Sequence, residues 1–376
     1  MPAPLETFAA RLARAHDATS AAGLDALLLT PSPDLRYLLG IGGESHERLT
    51  CLVVPAEGDP ALVVPALERP GLDGTPVLGL GVEIVEWTDG DDPYALVAAV
   101  LPKSGSAAAQ VAVGDAMPAV HVLGLRAALP DCAQELASTV LAQLRMRKDR
   151  AEIAALDAAG QAIDRVHARM GEWLRVGRTE AQVGADVAAA IVAEGHTMAA
   201  FIIVGSGPNG ASPHHDVSDR VVQPGDLVVV DIGGPTSEGY YSDCTRTYSM
   251  GEPAYPEVVD CYALLQAAQQ AAVAAVAPGI TAQSVDDAAR SPIRDAGYGH
   301  RFIHRTGHGI GLEVHEQPYI VAGNDLVLDQ GMAFSIEPGI YIPGRWGARI
   351  EDIVVVEDYG ARRLNHRPRE LAVLPV

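Results

Sequence analysis

The stretch "LVVVDIGGPTSEGYYSDCTRT", residues 227–247, carries two acids on what reads as a hairpin: Asp231 ends a β-branched run, and Asp243 follows twelve residues later on the returning strand. A second stretch repeats the arrangement. In "AFSIEPGIYIPGRWGARIEDIVVV", residues 333–356, Glu337 and Glu351 stand fourteen residues apart in the same strand, turn, strand order. Residues opposite each other on a hairpin hold their Cβ atoms roughly 4.5 to 5.5 Å apart, so each pair is expected to converge on one face. A single acid in such a strand would be a solvent-facing edge charge. Two matched pairs among Val and Ile are not explained that way. Asp226, in the turn-like "PGD", and Asp352, of opposite strand parity to Glu351, are weaker candidates.

Four carboxylates gathered inside a sheet repel one another and are driven to protonate unless cations neutralise them. Two divalent ions offset four negative charges, and a neutral histidine would complete a mostly oxygen donor set that suits Mn²⁺ or Co²⁺, with Zn²⁺ as a further option. Metals about 3.5 to 4 Å apart can share a hydroxide and polarise the carbonyl it attacks, which is hydrolytic machinery. Histidines are at hand in "HRTGHGIGLEVHE", residues 304–316, which holds His304, His308 and His315 beside Glu313 and Glu316. The stretch is not a zinc helix of the H-E-x-x-H kind, because Gly307, Gly309 and Gly311 interrupt it and each costs a helix interior about 1 kcal/mol relative to Ala. His308 and His315 also have opposite strand parity, so a strand needs a bend or bulge at a glycine to bring them together. The expectation is a loop running into a strand, with the glycines letting the chain turn. Spacing alone leaves open which histidine is a ligand.

Around these motifs the chain reads as a duplication. A charged stretch, "RMRKDRAEI", opens a long helix; a second helix starts at a capping box of Thr179 and Gln182 and stops at Gly195. The order recurs with a helix over residues 256–276 and a shorter one from Thr281, an offset of about 102 residues, each helix pair leading into a strand group. One such unit cannot bury its sheet alone, so the two are expected to join around a pseudo-twofold axis. The N-terminal portion is of another kind, an α/β domain of short apolar strands: "DALLLTP", a hairpin in "LTCLVVPAEGDPALVVPA", "VEIVEW" and "QVAVGD", with helices in "PYALVAAVL" and "ELASTVLAQLRM". It shows no cluster of His, Cys, Asp or Glu that suggests chemistry. The boundary is placed at Lys148, giving domains 1–147 and 148–376.

With 376 residues, 48% of them hydrophobic, the chain can build two real cores. A formal charge of −21, from 27 Lys and Arg against 48 Asp and Glu, disfavours nucleic acid or an anionic membrane as a partner. No apolar run reaches the ~18 residues of a membrane span, and the start lacks a basic stretch followed by an apolar one, so a cytoplasmic location is expected. Cys51, Cys132, Cys244 and Cys261 are scattered, without a C-x-x-C. "GSGPNG", residues 205–210, satisfies G-x-G-x-x-G, but Pro213 blocks the helix a dinucleotide site needs. A serine hydrolase would lack its G-x-S-x-G elbow.

With these residues in place, the C-terminal portion resembles the pita-bread metallopeptidases, and the whole chain is similar to the Xaa-Pro dipeptidases (prolidases) and Xaa-Pro aminopeptidases. The resemblance covers most of residues 150–376. It implies an α+β protein of two domains, an N-terminal α/β creatinase-like domain and a C-terminal pseudo-twofold pita-bread catalytic domain. It implies that Asp231 chelates one metal, that Asp243 and Glu351 bridge both, and that His308 and Glu337 bind the second, with Glu337 also the general base. His214, in "NGASPHHDVSD", matches a histidine that binds substrate and transfers protons, whereas His215 beside it has no match. His315 matches the histidine contacting the scissile group, His304 one lining the proline-side pocket, and Arg349 a guanidinium behind the ligands or in the substrate site; Tyr341 is a weaker pocket candidate. One departure is visible: the loop from Asp231 to Asp243 is one residue longer than the family's usual spacing.

The implied activity is hydrolysis of the Xaa-Pro bond in dipeptides by a hydroxide bridging two ions, Mn²⁺ by preference. The alternatives are an Xaa-Pro aminopeptidase acting on longer proline-containing peptides, a creatinase-like enzyme, and a binding protein without catalysis. A methionine aminopeptidase would not need about 145 residues of N-terminal domain. A homodimer is implied, in which the N-terminal domain serves dimerisation and limits substrate length. Arg36, in "SPDLRYLLG", is left out of the site because a surface or fold-supporting role explains it.

Overall fold

The computed structural model describes residues 3–101 and 109–376, so Met1 and Pro2, the first residues of the start examined for a leader, lie outside it. The chain forms two compact units, Met1–Arg145 and Met146–Val376.

The first unit runs α1 (Leu5–Ala21), β1 (Ala26–Leu29), α2 (Pro33–Leu39), β2 (Cys51–Pro55), β3 (Ala61–Pro65), β4 (Glu83–Trp87), α3 (Pro93–Val100), β5 (Gln110–Val113), α4 (Ala119–Ala128), β6 (Ala133–Leu136) and α5 (Ser138–Met146). Its six strands lie in the order β4-β3-β2-β1-β5-β6. β2 and β3 are antiparallel, as expected of the hairpin, and the other neighbours include parallel pairs such as β1 with β5. The all-apolar β1 is buried along its whole length, which is what a central strand covered on both faces requires. One expectation fails here. Glu135 and Leu136, read as the opening of a helix, belong instead to β6, which pairs in parallel with β5 and leaves the helix to start at Ser138. An exposed edge strand carries little apolar pattern, so the period of the following helix ran over it.

The second unit begins with α6 (Arg150–Ala168), capped by a reciprocal box of Asp149 and Glu152, and α7 (Glu180–Ala193), capped by Thr179 with Gln182. β7 (Phe201–Ser206), β8 (Leu227–Pro235) and β9 (Tyr241–Met250) follow. The pattern then repeats: α8 (Val258–Ala275), α9 (Ala282–Asp295), and β10 (Gly307–Gly309), β11 (Glu316–Ile320), β12 (Ala333–Ile336), β13 (Gly339–Ile342), β14 (Trp346–Arg349), β15 (Asp352–Glu357), β16 (Gly360–Arg363) and β17 (Ala372–Leu374). The repeat extends to detail. Thr179 and Thr281 each cap their helix by accepting a backbone N–H, and each also forms an isolated bridge, to Val221 and Val327 respectively.

Each half has its own core. α6 and α7 bury Ile163, Val166, Val183, Val187 and Ile191 against Val228, Val230 and Ile232 of β8. α8 and α9 bury Leu265, Val285 and Ile293 with Phe334, Ile336 and Val354 of β12 and β15. The sheets run β17-β9-β8-β7 and β11-β10-β12-β15-β16, with β13 and β14 as a separate two-stranded ribbon. Two helix pairs, each covering its own sheet, with β14 packed against β8 and β15 against β9 across the middle, make the pseudo-twofold pita-bread fold. Among the described residues no helix is long and apolar enough to cross a membrane.

Candidate metal centre

The first acid pair converges, though not as directly opposite residues. In the β8–β9 ladder Asp231 faces Thr245, and Asp243 faces Gly233. The two acids are therefore diagonal neighbours on one face, a relation that sets them roughly 7 to 8 Å apart. The turn at Thr236 and Gly239 decides this, since it makes Pro235 and Tyr241 the last pair of the ladder. In the second pair, Ile336 faces Asp352, and one further step would set Glu337 against Glu351. Both acids instead sit in breaks, Glu337 between β12 and β13 and Glu351 between β14 and β15, so the strand-turn-strand reading of this stretch is replaced by two interrupted strands. Their backbone N–H groups turn to other elements: Glu337 donates to the Thr306 carbonyl at 2.8 Å, and Glu351 to the Thr245 carbonyl of β9 at 3.2 Å. That last bond draws an acid of the second half onto the strand that carries Asp243. Asp352 points the other way and is buried in an ion pair with Arg246 at 2.7 Å, while Asp226 is held by Arg220 in its turn.

The histidine stretch behaves as a short strand with a bulge. β10 changes register against β11 between His308 and Gly309. The shift brings the His315 ring edge-on to His308, with centroids 4.3 Å apart. The glycines serve closeness here, since none of the three has a positive φ. A Cβ at Gly307 would overlap the Ser335 carbonyl oxygen, and one at Gly309 the Gln317 carbonyl oxygen. The backbone oxygens cannot move aside cheaply, so Gly307→Ala should lower stability by roughly 1 to 3 kcal/mol, the usual cost of overpacking. A urea midpoint equal to wild type would show that β10 has slack that this packing denies. Glu316 is engaged by Lys148 in a buried ion pair.

One cavity of about 910 Å³ is lined by Asp231, Asp243, His308, Glu337 and Glu351, and also by His214, His304, His315 and Arg349. Within it, Asp243, His308 and Glu351 each offer a ligand atom within 4.8 Å of the other two. His308 Nδ1 lies 3.2 Å from the Gly309 carbonyl, which can only accept, so the proton sits on Nδ1 and the Nε2 lone pair is free. Nε2 stands 3.3 Å from Glu337 Oε1 and 3.6 Å from Asp243 Oδ2. Asp231 Oδ1, Asp243 Oδ1 and Glu351 Oε1 are buried with no hydrogen-bond partner. Burial, and then the neighbouring acids, push the Asp243 and Glu351 carboxyls well above their usual range. Unpartnered carboxylate oxygens that repel one another around a proton-free imidazole nitrogen are what a divalent cation satisfies, so these residues fit a metal.

Arg349 organises the surroundings. Its Nη2 donates to Asp231 Oδ2 at 2.7 Å and its Nε to Thr245 Oγ1 at 3.1 Å, while Thr245 Oγ1 donates to Glu351 Oε2 at 2.8 Å. Its Nη1 reaches the Tyr341 hydroxyl at 2.7 Å, and Tyr341 bridges to His304 Nε2 at 2.9 Å. Burial lowers the pKa of His304, and burial with the adjacent His308 brings His315 down to about 4, so both rings are neutral at neutral pH. Glu337 is held below its usual range when no metal is present: burial opposes ionisation, but a second proton on His308, at Nε2, hydrogen-bonds to it and stabilises its charge, and that proton must leave before Nε2 can act as a ligand. Sequence reasoning passed over Thr245, the apolar wall of Phe201, Ile202 and Ile203, and His215, all of which bear on this cavity or its ligands. The Thr245 role had a readable signal, because it shares strand parity with Asp243 two residues before it.

Fold and site together define a metal-dependent hydrolase. The chain belongs to metallopeptidase family M24, whose model matches residues 154–358, and residues 11–147 match the creatinase/prolidase N-terminal domain. It is 58% identical over 371 residues to a probable dipeptidase, PepE, of Mycobacterium tuberculosis, covering 99% of this chain and 98% of that one. A crystal structure of dipeptidase PepE from Mycobacterium ulcerans superposes with a TM-score of 0.95 at 59% identity, covering 100% of each chain. An Xaa-Pro dipeptidase of Lactobacillus delbrueckii is 38% identical, over 94% of this chain and 96% of its own. The protein is therefore an enzyme, a peptidase that uses divalent metal.

Proposed function

We propose that the chain is a dinuclear dipeptidase that hydrolyses the Xaa-Pro bond. The reading rests on one observation: unpartnered carboxylate oxygens of Asp231, Asp243 and Glu351 and the imidazole of His308 share one cavity, which His214, His304, His315 and Arg349 also line. The names borne by the relatives, dipeptidase and Xaa-Pro dipeptidase, support the substrate class. Asp231, Asp243, His308, Glu337 and Glu351 would hold two divalent ions, Mn²⁺ by preference on this mostly oxygen donor set, with Co²⁺ or Zn²⁺ as alternatives. Such ions, when bound, lower the pKa of water and polarise the carbonyl it attacks.

The remaining chemistry falls to side chains. Glu337, ionised and fixed by Ser335 Oγ at 3.2 Å, takes the proton of the attacking water. His315, neutral, donates an N–H toward the oxygen on which charge develops. His214 receives the substrate at the cavity wall and passes protons there. His304, locked by Tyr341 and by the Arg305 carbonyl at 2.7 Å, forms the proline-side wall, and Arg349 steadies that side from behind Asp231. A homodimer and a cytoplasmic location complete the reading; Cys51, Cys132, Cys244 and Cys261 are all free, which suits a reducing compartment.

A cavity of about 910 Å³ also accommodates longer peptides, which favours Xaa-Pro aminopeptidase action as the second reading. Incubating Mn²⁺-loaded protein with Ala-Pro and with Ala-Pro-Ala, with and without chelator, separates them by the alanine released. Chelator-sensitive release from Ala-Pro is expected. Release from the tripeptide alone would favour the aminopeptidase, and release from neither would sink the proposal.

A further inference from the structure

Glu180 is the first residue of α7, directly after the Thr179 cap. An acid in a first helical turn usually needs no explanation beyond the helix dipole. This one, however, is fully buried, and both its oxygens are crowded with donors. Oε1 accepts from Ser206 N at 2.7 Å, Ser206 Oγ at 2.6 Å and Asn209 Nδ2 at 3.1 Å. Oε2 accepts from His215 Nε2 at 2.7 Å, Ser218 Oγ at 2.5 Å and Ser218 N at 3.3 Å. A carboxylate offers about four lone-pair sites, so this one is saturated. Burial works against its ionisation, but the hydrogen bonds from Ser206, Ser218 and His215 outweigh that and hold it below the usual range.

The donors that reach it include the wall of the metal cavity. Pro213, His214, His215 and Asp216 all line that cavity, and residues 212–218 belong to no helix or strand ladder. With no ladder to fix it, the segment is held by isolated bonds. The Ala181 N–H donates to the Ser218 carbonyl at 2.9 Å, Arg349 Nη2 donates to the Pro213 carbonyl at 3.3 Å, and Glu180 takes hold at His215 and Ser218. A carboxylate only accepts, so His215 must carry its proton on Nε2, which sets both its tautomer and the plane of its ring. Behind Glu180 the anchor is itself braced: Ser206 Oγ also accepts from Arg220, which pairs with Asp226 through both carboxylate oxygens.

We propose that Glu180 is a positioning residue for the reaction: through its hydrogen bond to His215 it fixes the wall segment that presents His214 and His215 to the substrate. This rests on the reading of the cavity as the peptide site. Glu180→Gln keeps the size and the helix but turns one acceptor into an amide that faces existing donors. In the Mn²⁺-loaded enzyme, kcat/KM for Ala-Pro should fall by roughly a hundredfold, the cost of a reacting group misplaced by about 1 Å, with metal content unchanged. His215→Asn should lose a similar amount, and the double variant should be no worse than His215→Asn alone, because the two act as one unit. A purely structural Glu180 would lower the thermal midpoint yet leave kcat/KM of the folded protein intact, or give losses that multiply; either result overturns the proposal. Imidazole NMR supplies a readout without substrate. The hydrogen-bonded Nε2–H of His215 should vanish in Glu180→Gln, and the His214 ring signals should move. If the wild-type enzyme splits neither peptide, the peptidase reading has failed, and unmoved His214 signals would separately refute the anchor.

Discussion

Asp243→Ala is expected to lose its metal and its activity together. Asp243 feels every other acid of the cluster: it lies with His308 and Glu351 in the tightest group of ligand atoms, and its pKa is raised first by burial and then by the charges of Glu351, Asp231 and Glu337. Loss of a residue that only supports a ligand costs about 10- to 100-fold in metal affinity or activity, so loss of Asp243, proposed as a ligand shared by both ions, should cost roughly a thousandfold or more. Metal analysis after dialysis, beside Ala-Pro kinetics, reads both. The same substitution removes a buried carboxyl whose ionisation burial and its neighbours oppose, so the metal-free variant should melt no lower than metal-free wild type, which separates a lost ligand from a lost fold. Full metal occupancy in the folded variant would refute the bridging role.

His315→Ala should behave in the opposite way, keeping both ions while turnover falls. The His315 ring packs edge-on against His308 and lines the cavity, and its proposed part is to donate to the substrate rather than to hold metal. Removing one donor aimed at developing charge typically costs about 10²- to 10³-fold in kcat. That loss should appear in kcat with little change in KM, because the interaction strengthens only as the carbonyl oxygen gains charge. A variant that released its metal on dialysis would place His315 among the ligands and require the division of the histidine stretch to be redrawn.

Residue type and spacing were enough to pick out four acids that line one cavity because a buried carboxylate in a Val-rich strand is costly, and two matched pairs share one economical explanation. Spacing could not place them to the ångström. Whether Asp231 and Asp243 sit opposite or diagonal depends on which residues close the hairpin, and whether Glu337 and Glu351 lie inside the ladder depends on backbone bonds to Thr306 and to Thr245 of β9, both far away in sequence. The same limit applies to the glycines of β10. In sequence they read as hinges, but the residues that crowd them, Ser335 and Gln317, are known only once β12 and β11 are in place. Glu180 was hidden for another reason. Its surroundings at the start of α7 satisfy a local rule so well that no leftover feature asks for a second purpose.

The duplication gives the unit a seam. Asp231 and Asp243 come from one half and Glu337 and Glu351 from the other, and direct ties across the line include Thr245 with Glu351 and Arg246 with Asp352. Neither half alone assembles a complete donor set, so the centre exists only while the halves are joined. Each bound ion would in turn rivet them. Catalysis and cohesion would then draw on the same few atoms, and a substitution that weakens one can be expected to loosen the other.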